Sequence, residues 1–179
     1  MFVILLMPSY PRKSIAILPF INDSEDSTNI YFNNGIAEAI RDRLANIRDL
    51  EVKSRMSSDS YQENLSMQTK RIARKMKVRY IVEGSSQKSG DNILVTVQLI
   101  DGREDKHLFS RQYERRYDEL FSLYGEIALD VAGEISAVIT PEEKKLIKEP
   151  ISLNLEAMKW TITGQDLLSR SSENNNQTL

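Results

Sequence analysis

Cysteine is absent from this chain of 179 residues, and histidine occurs once, as His107. The absence of thiols excludes disulfides, thiolate metal sites and cysteine nucleophiles. A single imidazole excludes histidine-rich zinc sites. The 24 basic and 26 acidic residues give a formal net charge of −2, whereas a dedicated nucleic-acid binder is usually basic overall. The composition therefore argues against nucleic acid as a partner and indicates no cofactor.

Long apolar runs are also scarce. The apolar stretch at the N-terminus, Phe2–Met7, is far shorter than the ~20 residues of a membrane-spanning helix. It lacks a preceding basic region and a small-residue cleavage site, so it is a poor signal peptide. Residues 1–13 are predicted to be an apolar leader or the stub of a membrane helix that begins outside this chain. The second alternative predicts a membrane-tethered soluble domain in the periplasm. The alternative location is the cytoplasm.

Apolar periodicity predicts an α/β (α+β) fold, with a mixed sheet, helices packed on it, and the element order β-α-β-α-β-β-β-α. Strands are predicted for Ser14–Phe20, Leu50–Arg55, Tyr80–Ser86, Ile93–Ile100 and Lys106–Arg115. The first helix is predicted to open at Gly35, with a stripe of Ile36, Ile40, Leu44 and Ile47, and the second to cover Met67–Lys77. The segments Ile21–Asn29 and Met56–Ser66 are predicted to be loops.

The stretch between Gly84 and Gly90 raises the question of a phosphate-binding loop. In a P-loop a Lys follows the second glycine, whereas here Lys88 precedes Gly90 and Asp91 follows it. Residues of the Ser-Gly-Asp-Asn type tolerate positive φ and favour a tight turn. The stretch is therefore predicted to be a plain β-hairpin without phosphate.

Two capping signals divide the C-terminal half. Asp118 is predicted to cap a long helix that runs to about Val138, with the apolar spacing continued through that residue. Thr140 opens a capping box with Glu143, so a separate short helix begins there and ends before Pro150. A last helix is predicted from Asn154 to about Arg170. The predicted organisation is a domain over 14–139, a helical extension over 140–170 and a disordered tail over 171–179.

The sharpest charge cluster lies in the second predicted helix. Its basic residues are Lys70, Arg71, Arg74, Lys75 and Lys77, followed by Arg79. They form either a contact site for an anion or a partner, or simply a solvated helix face opposite Ile72, Ala73 and Met76. Gly35 offers a second candidate anion site at a helix N-terminus, with an ordinary backbone turn as the alternative.

No set of residues specifies catalysis or metal binding. The acidic groups at 23–26 and at Asp101, Glu104 and Asp105 lack the spacing of a calcium loop and favour solvated loops. His107 lies in a predicted strand without a defined nucleophile, which favours a surface or half-buried position over a catalytic one. The predictions are therefore no catalytic residue, no metal ligand and no enzyme activity in this chain.

Taken together in this order, "SIAILPF", "YFNNGIAEAI", "RMSS", "RYIVEGSSQKSGDNILVTVQLID" and the helix after "QYERRYDELF" resemble the TolB-like N-terminal domain. The resemblance covers roughly Ser14–Val138. It implies an accessory α/β module, similar to segments fused to adenylate cyclase domains, winged-helix regulators or protein kinases and often followed by tetratricopeptide repeats. It implies no catalytic residue.

The C-terminal segment resembles the start of such a repeat, because Trp160, Gly164 and Leu167 match its W-x₃-G-x₂-[Y/L] positions. The predicted function is a protein-interaction, assembly or sensory module of a larger bacterial signalling protein that contains, or associates with, an adenylate cyclase. The alternative is a sensor for a nucleotide or another small ligand. Protein partners are expected at the sheet edge or at the repeats, and pairing of the repeat face would give a homodimer.

Overall fold

The computed structural model describes residues 13–23, 30–59, 69–89 and 91–149. One mixed sheet contains strands β1 (Ser14–Ile17), β2 (Ile21–Asn22), β3 (Glu51–Val52), β4 (Tyr80–Ser89), β5 (Asn92–Asp101) and β6 (Lys106–Arg116). The helices are α1 (Ile30–Ala45), α2 (Arg55–Asp59), α3 (Thr69–Met76), α4 (Leu120–Glu134) and α5 (Pro141–Lys148). The predicted fold class is confirmed, and the short β2 and α2 are additions to the predicted order.

The strand order is β3-β1-β4-β5-β6, and β2 also pairs with β4. The first half of the chain forms the parallel part, in which β1 pairs with β3 and β4. The second half is an antiparallel meander of β4, β5 and β6. Parallel neighbours need crossover connections, whereas antiparallel neighbours need only turns. For this reason α1, α2 and α3 are all in the first half.

The predicted hairpin between β4 and β5 is confirmed, because their ladder continues to the pair Ser89–Asn92. Gly84 does not belong to its turn. It lies inside β4, where an added Cβ would be 2.3 Å from the carbonyl oxygen of Thr96 and 2.6 Å from the ring of Phe20. Gly84 therefore makes room for an aromatic ring that packs on the sheet.

The two faces of the sheet differ in their cover. On the covered face, α1, α4 and α5 pack over one apolar core, and Ile36, Ile40, Leu44 and Ile47 are at most 1% exposed. The strands contribute Ile15, Ile17, Tyr80, Val82, Ile93, Val95, Val97, Leu99 and Tyr113 to this core. On the opposite face, which we call the open face, a smaller cluster joins Ile72, Ala73 and Met76 of α3 to Ala16, Leu18, Val78 and Ile81.

In the first half of the chain, the predictions for α1, β3 and the segment of α2 are wrong. Helix α1 begins at Ile30, so Gly35 lies inside it and does not open it. A glycine inside a helix costs only about 1 kcal/mol relative to alanine, which the rest of a helix readily offsets. The segment predicted as a loop after Arg55 starts with helix α2, and the strand predicted for Leu50–Arg55 is confined to Glu51–Val52.

Both predicted ends of α4 are also wrong. Asp118 lies in a 3-10 turn before the helix, where it pairs with Arg116, and Glu119 is the N-cap residue. The helix ends at Glu134 because Ser136 adopts a left-handed conformation with φ of 52°. The Ala137 N–H then donates to the Ala132 carbonyl at 2.9 Å, which closes the last turn. Val138 is consequently 69% exposed and does not extend the apolar stripe.

Helix α5 has the predicted capping box, with Thr140 accepting from the Glu143 N–H and Pro141 in the first turn. Ile147 is fully buried in the core of the covered face. Within the described residues no helix combines the length and apolar character needed for a membrane span. The leader Phe2–Met7 and the predicted helix with Trp160, Gly164 and Leu167 lie outside the described residues.

Candidate partner-binding surfaces

Helix α3 displays a basic surface, which we define as Lys70, Arg71, Arg74 and Lys75. All four side chains are exposed, whereas Ile72, Ala73 and Met76 on the other side are at most 8% exposed. This separation follows from the helical period, which puts residues three and four apart on one side. These four residues of the predicted basic cluster therefore form one exposed helix face, whereas Arg79 is half-buried and pairs with Asp101.

The position of α3 is fixed at its C-terminal end. Lys77 is left-handed, with φ of 56°, and the Val78 N–H donates to the Ala73 carbonyl at 3.0 Å. The β5–β6 turn packs directly against α3, since a Cβ added to Gly102 would lie 2.3 Å from the Cβ of Ala73. Buried Asp101 holds the base of this turn through a 3.0 Å ion pair with Arg79. The carboxylate at 101 thus serves a structural ion pair.

Beyond α3, the open face carries polar side chains. Cross-strand rows join Glu83, Gln98 and Ser110, and then Ser85, Thr96 and Gln112. Burial raises the pKa of Glu83 above its ordinary value, and the nearby His107 partly opposes that shift. His107 itself is exposed on β6 opposite Ile100, in agreement with the predicted surface position. Within the described part of the chain, no group of three or more acidic or histidine side chains is placed to hold a metal ion.

Strand β6 forms a long edge of the sheet. Its side chains toward the covered face are tied to α4, where Arg111 pairs with Asp130 at 2.8 Å and Arg115 pairs with Glu126 at 2.9 Å. The Tyr113 hydroxyl also donates to Asp130 at 2.8 Å. Burial and this hydrogen bond raise the pKa of Tyr113 above its ordinary value. The hydroxyl therefore keeps its proton and donates a hydrogen bond to Asp130.

The sequence pointed to the basic surface but not to this arrangement on β6. The signal was present, since Phe109, Arg111, Tyr113 and Arg115 alternate aromatic and basic residues on one face of a strand. Their acidic partners, however, lie on α4, and only the packing of that helix against β6 identifies them. The repeat-like residues Trp160, Gly164 and Leu167 are outside the described ranges, so the structure does not bring them to either surface.

A protein-family model described as HilA/YgeH-like transcriptional regulator, second domain, matches residues 11–128. A Rhizobium meliloti (strain 1021) protein named "Putative adenylate cyclase 3" is 32% identical over 139 residues, which are 77% of this chain and 24% of that protein. The chain therefore spans about a quarter of this curated relative.

Two solved structures match this chain. TolB from Acinetobacter baumannii matches with a TM-score of 0.53 and 17% identity, over 69% of this chain and 28% of that one. Lipoprotein GNA1162 from Neisseria meningitidis matches with a TM-score of 0.49 and 17% identity, over 71% of this chain and 99% of that one. The match to TolB confirms the predicted resemblance at the level of the fold.

Proposed function

The chain belongs to the HilA/YgeH-like transcriptional regulator second-domain family, and from this premise we propose that it is a non-catalytic interaction module of a larger bacterial signalling protein. The relative named as an adenylate cyclase supports the same role, because the matched segment is only 24% of that protein. The module would connect the effector part of such a protein, a transcriptional regulator or a cyclase, to its partners.

The observation that carries this proposal is the basic surface of α3. Four exposed cations occupy one short helix in a chain whose net charge is −2, so positive charge is concentrated at this place. The opposite side of the helix is anchored by buried Ile72, Ala73 and Met76, which keeps the surface in a fixed position. Such a patch steers and orients a partner of opposite charge. The partner we propose is a protein surface rich in Asp and Glu.

Segments that lie partly outside the described residues complete the proposal. Residues 140–170 would connect the domain to tetratricopeptide repeats, which is supported by the spacing of Trp160, Gly164 and Leu167. Helix α5 would link the domain to the repeats, since its residue Ile147 is buried in the domain core. Residues 1–13 would be a membrane tether or a leader, and their apolar content supports the tether.

The second candidate is a sensor for a phosphate-bearing small ligand. It is favoured by the same four side chains, because Lys and Arg donate strong charge-assisted hydrogen bonds to phosphate oxygens. The two candidates differ in what should bind. A protein partner would contact the whole exposed face of α3 and should be captured by crosslinking. A small ligand would bind the isolated chain and should raise its stability against thermal unfolding.

The test compares two double charge reversals in the full-length protein. Arg71→Glu with Arg74→Glu alters the basic surface, and Lys144→Glu with Lys148→Glu reverses two exposed charges on α5 as the matched control. Crosslinking in cells followed by mass spectrometry should give an acidic-surfaced partner for the wild type and the α5 variant. The yield should fall at least about tenfold for the α3 variant, as expected for a loss of 1.4 kcal/mol.

Thermal unfolding with ATP and with inorganic phosphate tests the alternative. A ligand present at 100 times its dissociation constant adds about 2.7 kcal/mol of stability. Stabilisation that disappears in the α3 variant, together with equal crosslinking of both variants, would replace the interaction module with the sensor. Equal crosslinking without any ligand effect would remove α3 as the functional surface.

A further inference from the structure

The outer edge of β6 has no neighbouring strand within the described part of the chain, because β6 ends the strand order. An unpaired strand edge presents free backbone donors and acceptors that template pairing with another strand. We propose that β6 pairs in antiparallel orientation with β6 of a second copy of this chain, about a two-fold axis at Gln112. This surface is separate from the basic surface of α3, so the inference goes beyond the proposed function.

A bulge limits the part of β6 that can pair regularly. The ladder with β5 is continuous from Asn92–Arg116 to Leu99–Phe109 and shifts between Leu99 and Ile100. Bulges locally disrupt pairing and bend the strand. The segment outside the bulge is therefore 109–116. Within it the Glu114 carbonyl already accepts from the Arg115 side chain at 2.8 Å and the Arg116 N–H donates to Glu119 at 3.2 Å, so the second ladder rests mainly on the other backbone groups.

Charge selects the register. A two-fold axis perpendicular to the sheet keeps the covered faces of both copies on one side, so opposed residues must point to the same face. The longest registers then centre on Arg111, Gln112, Tyr113 or Glu114. A register centred on Arg111 or on Glu114 places that residue directly opposite the same residue of the second copy. Centring on Tyr113 opposes Arg111 to Arg115. Directly opposed like charges are destabilising, and only the register at Gln112 avoids them.

The same register makes the covered-face side chains complementary. Phe109, Arg111, Tyr113 and Arg115 alternate along this face, so each arginine of one copy opposes an aromatic ring of the other. Cations over aromatic faces attract, and Arg111 already lies 5.2 Å from the centre of the Phe109 ring within the chain. Asp130 and Glu126 hold the two guanidinium groups in place, which lowers the entropy lost on pairing.

On the open face the register opposes Ser110 to Glu114 and Gln112 to its own copy. Pairing of two strands alone buries less than the ~1,600 Å² of a standard interface. A weak, concentration-dependent dimer of the chain is therefore expected. Longer proteins with further contacts would populate it more strongly.

The first test uses the absence of cysteine. Gln112→Cys places the sole thiol of the full chain on the two-fold axis, where opposed Cα atoms lie about 4.5–5.5 Å apart, within disulfide reach. Ser110→Cys is the matched control, because the two copies of residue 110 would be about 13 Å apart along the strands. Mild oxidation should link Gln112→Cys at least about tenfold faster than Ser110→Cys, with rates corrected for thiol reactivity. Equal rates would overturn the register.

The second test uses charge at Ser110 in sedimentation velocity. Ser110→Lys would oppose Glu114 of the second copy and Ser110→Glu would repel it, so their dimer dissociation constants should differ by about tenfold, the lysine variant binding tighter. The register at Tyr113 predicts the reverse order, since Ser110 would then oppose Arg116. A reversed order, no difference, or a wild-type chain that remains monomeric at millimolar concentration would each overturn the proposal. Unchanged melting of both variants verifies the fold.

Discussion

The two faces of the sheet are built from the same strands but serve different purposes. On the covered face, residues such as Ile93, Val97 and Leu99 are fully buried under α1, α4 and α5. On the open face, the alternating neighbours Thr96 and Gln98 are half-buried, and α3 covers part of the surface. Successive residues of β5 therefore alternate between the apolar core on the covered face and the polar surface on the open face.

This difference separates the residues that stabilise the fold from the residues that remain exposed to solvent. Burial of apolar area is the main stabilising contribution, and most of it lies on the covered face. The open face, the exposed side of α3 and the edge of β6 carry charge and hydrogen-bonding groups that contribute little to the core. Substitutions on the two sides should therefore affect different measurements.

The largest effect is expected from Ile127→Ala in α4. Ile127 is fully buried in the core of the covered face, so its truncation should lower the free energy of unfolding by about 2–5 kcal/mol. Gln98→Thr changes the middle of the open face and should stay within about 0.5 kcal/mol. Urea unfolding measures both. A similar loss for the two variants would mean that the open face is also part of the core.

Next in size is Gly84→Ala in β4. The new Cβ would meet the Thr96 carbonyl at 2.3 Å and the Phe20 ring at 2.6 Å, so overpacking should cost about 1–3 kcal/mol. Gly133→Ala in α4 is the control, because nothing lies within 4 Å of its Cβ and the helix should gain about 0.5–1 kcal/mol. If Gly84→Ala is neutral in thermal unfolding, Phe20 does not pack against this strand.

Local signals in the sequence predicted most of the elements, and the errors lie where distant contacts decide. The hairpin and the capping box of α5 depend on neighbouring residues, and both are confirmed. Arg43 is only 2% exposed although it is charged, because its guanidinium donates to the Phe121 carbonyl on α4 at 3.1 Å. No short-range pattern indicates a contact between residues 78 positions apart.

The basic surface was predictable from the sequence, and a sheet edge was expected to bind partners, but the strand that forms that edge was not identified. A run of Lys and Arg with three apolar residues at helical spacing is visible in ten consecutive letters. The position of β6 at the end of the sheet depends on the complete strand order. The tie between β6 and α4 depends on Asp130 and Glu126, which belong to another element.

The pH dependence should distinguish the segment around α5 from the open face. The Lys13 side chain and the Val138 N–H hold the pKa of Asp49 below its ordinary value. The Thr140 and Arg48 N–H groups do the same for Glu143. Carboxylates with lowered folded pKa values contribute stability that is fully present above about pH 5 and is lost as the pH falls through 4. Asp49→Asn and Glu143→Gln should each reduce proton uptake on unfolding by up to about one proton.

Glu83 provides a control for which the expected effect of pH on stability has the opposite sign. Its pKa is raised by burial, so the folded state binds its proton more readily than the unfolded state and gains stability as the pH falls. Glu83→Gln should therefore make the acid loss steeper, whereas the two other variants make it shallower. Urea unfolding between pH 3 and 7 measures all three slopes, and a shared direction would contradict the assignment.

The smallest effects are expected at the ends of α3 and α4, which lie on opposite faces of the sheet but end in the same way. Lys77 and Ser136 have φ of 56° and 52°. Each lies in a turn that is closed by a hydrogen bond from the N–H of the next residue to the carbonyl of Ala73 or Ala132. A residue with a Cβ in this conformation destabilises the folded state by about 1–2 kcal/mol, and glycine removes this cost. Glycine also makes the unfolded chain more flexible, which lowers the gain in stability by about 0.4–1 kcal/mol. Lys77→Gly and Ser136→Gly should therefore each gain about 0.5–1 kcal/mol in thermal unfolding. Lys75→Gly, inside α3, should instead lose about 1 kcal/mol. Equal gains at 77 and 136 would show that backbone conformation alone sets the effect, whereas a gain limited to Ser136 would mean that packing on the covered face contributes to it.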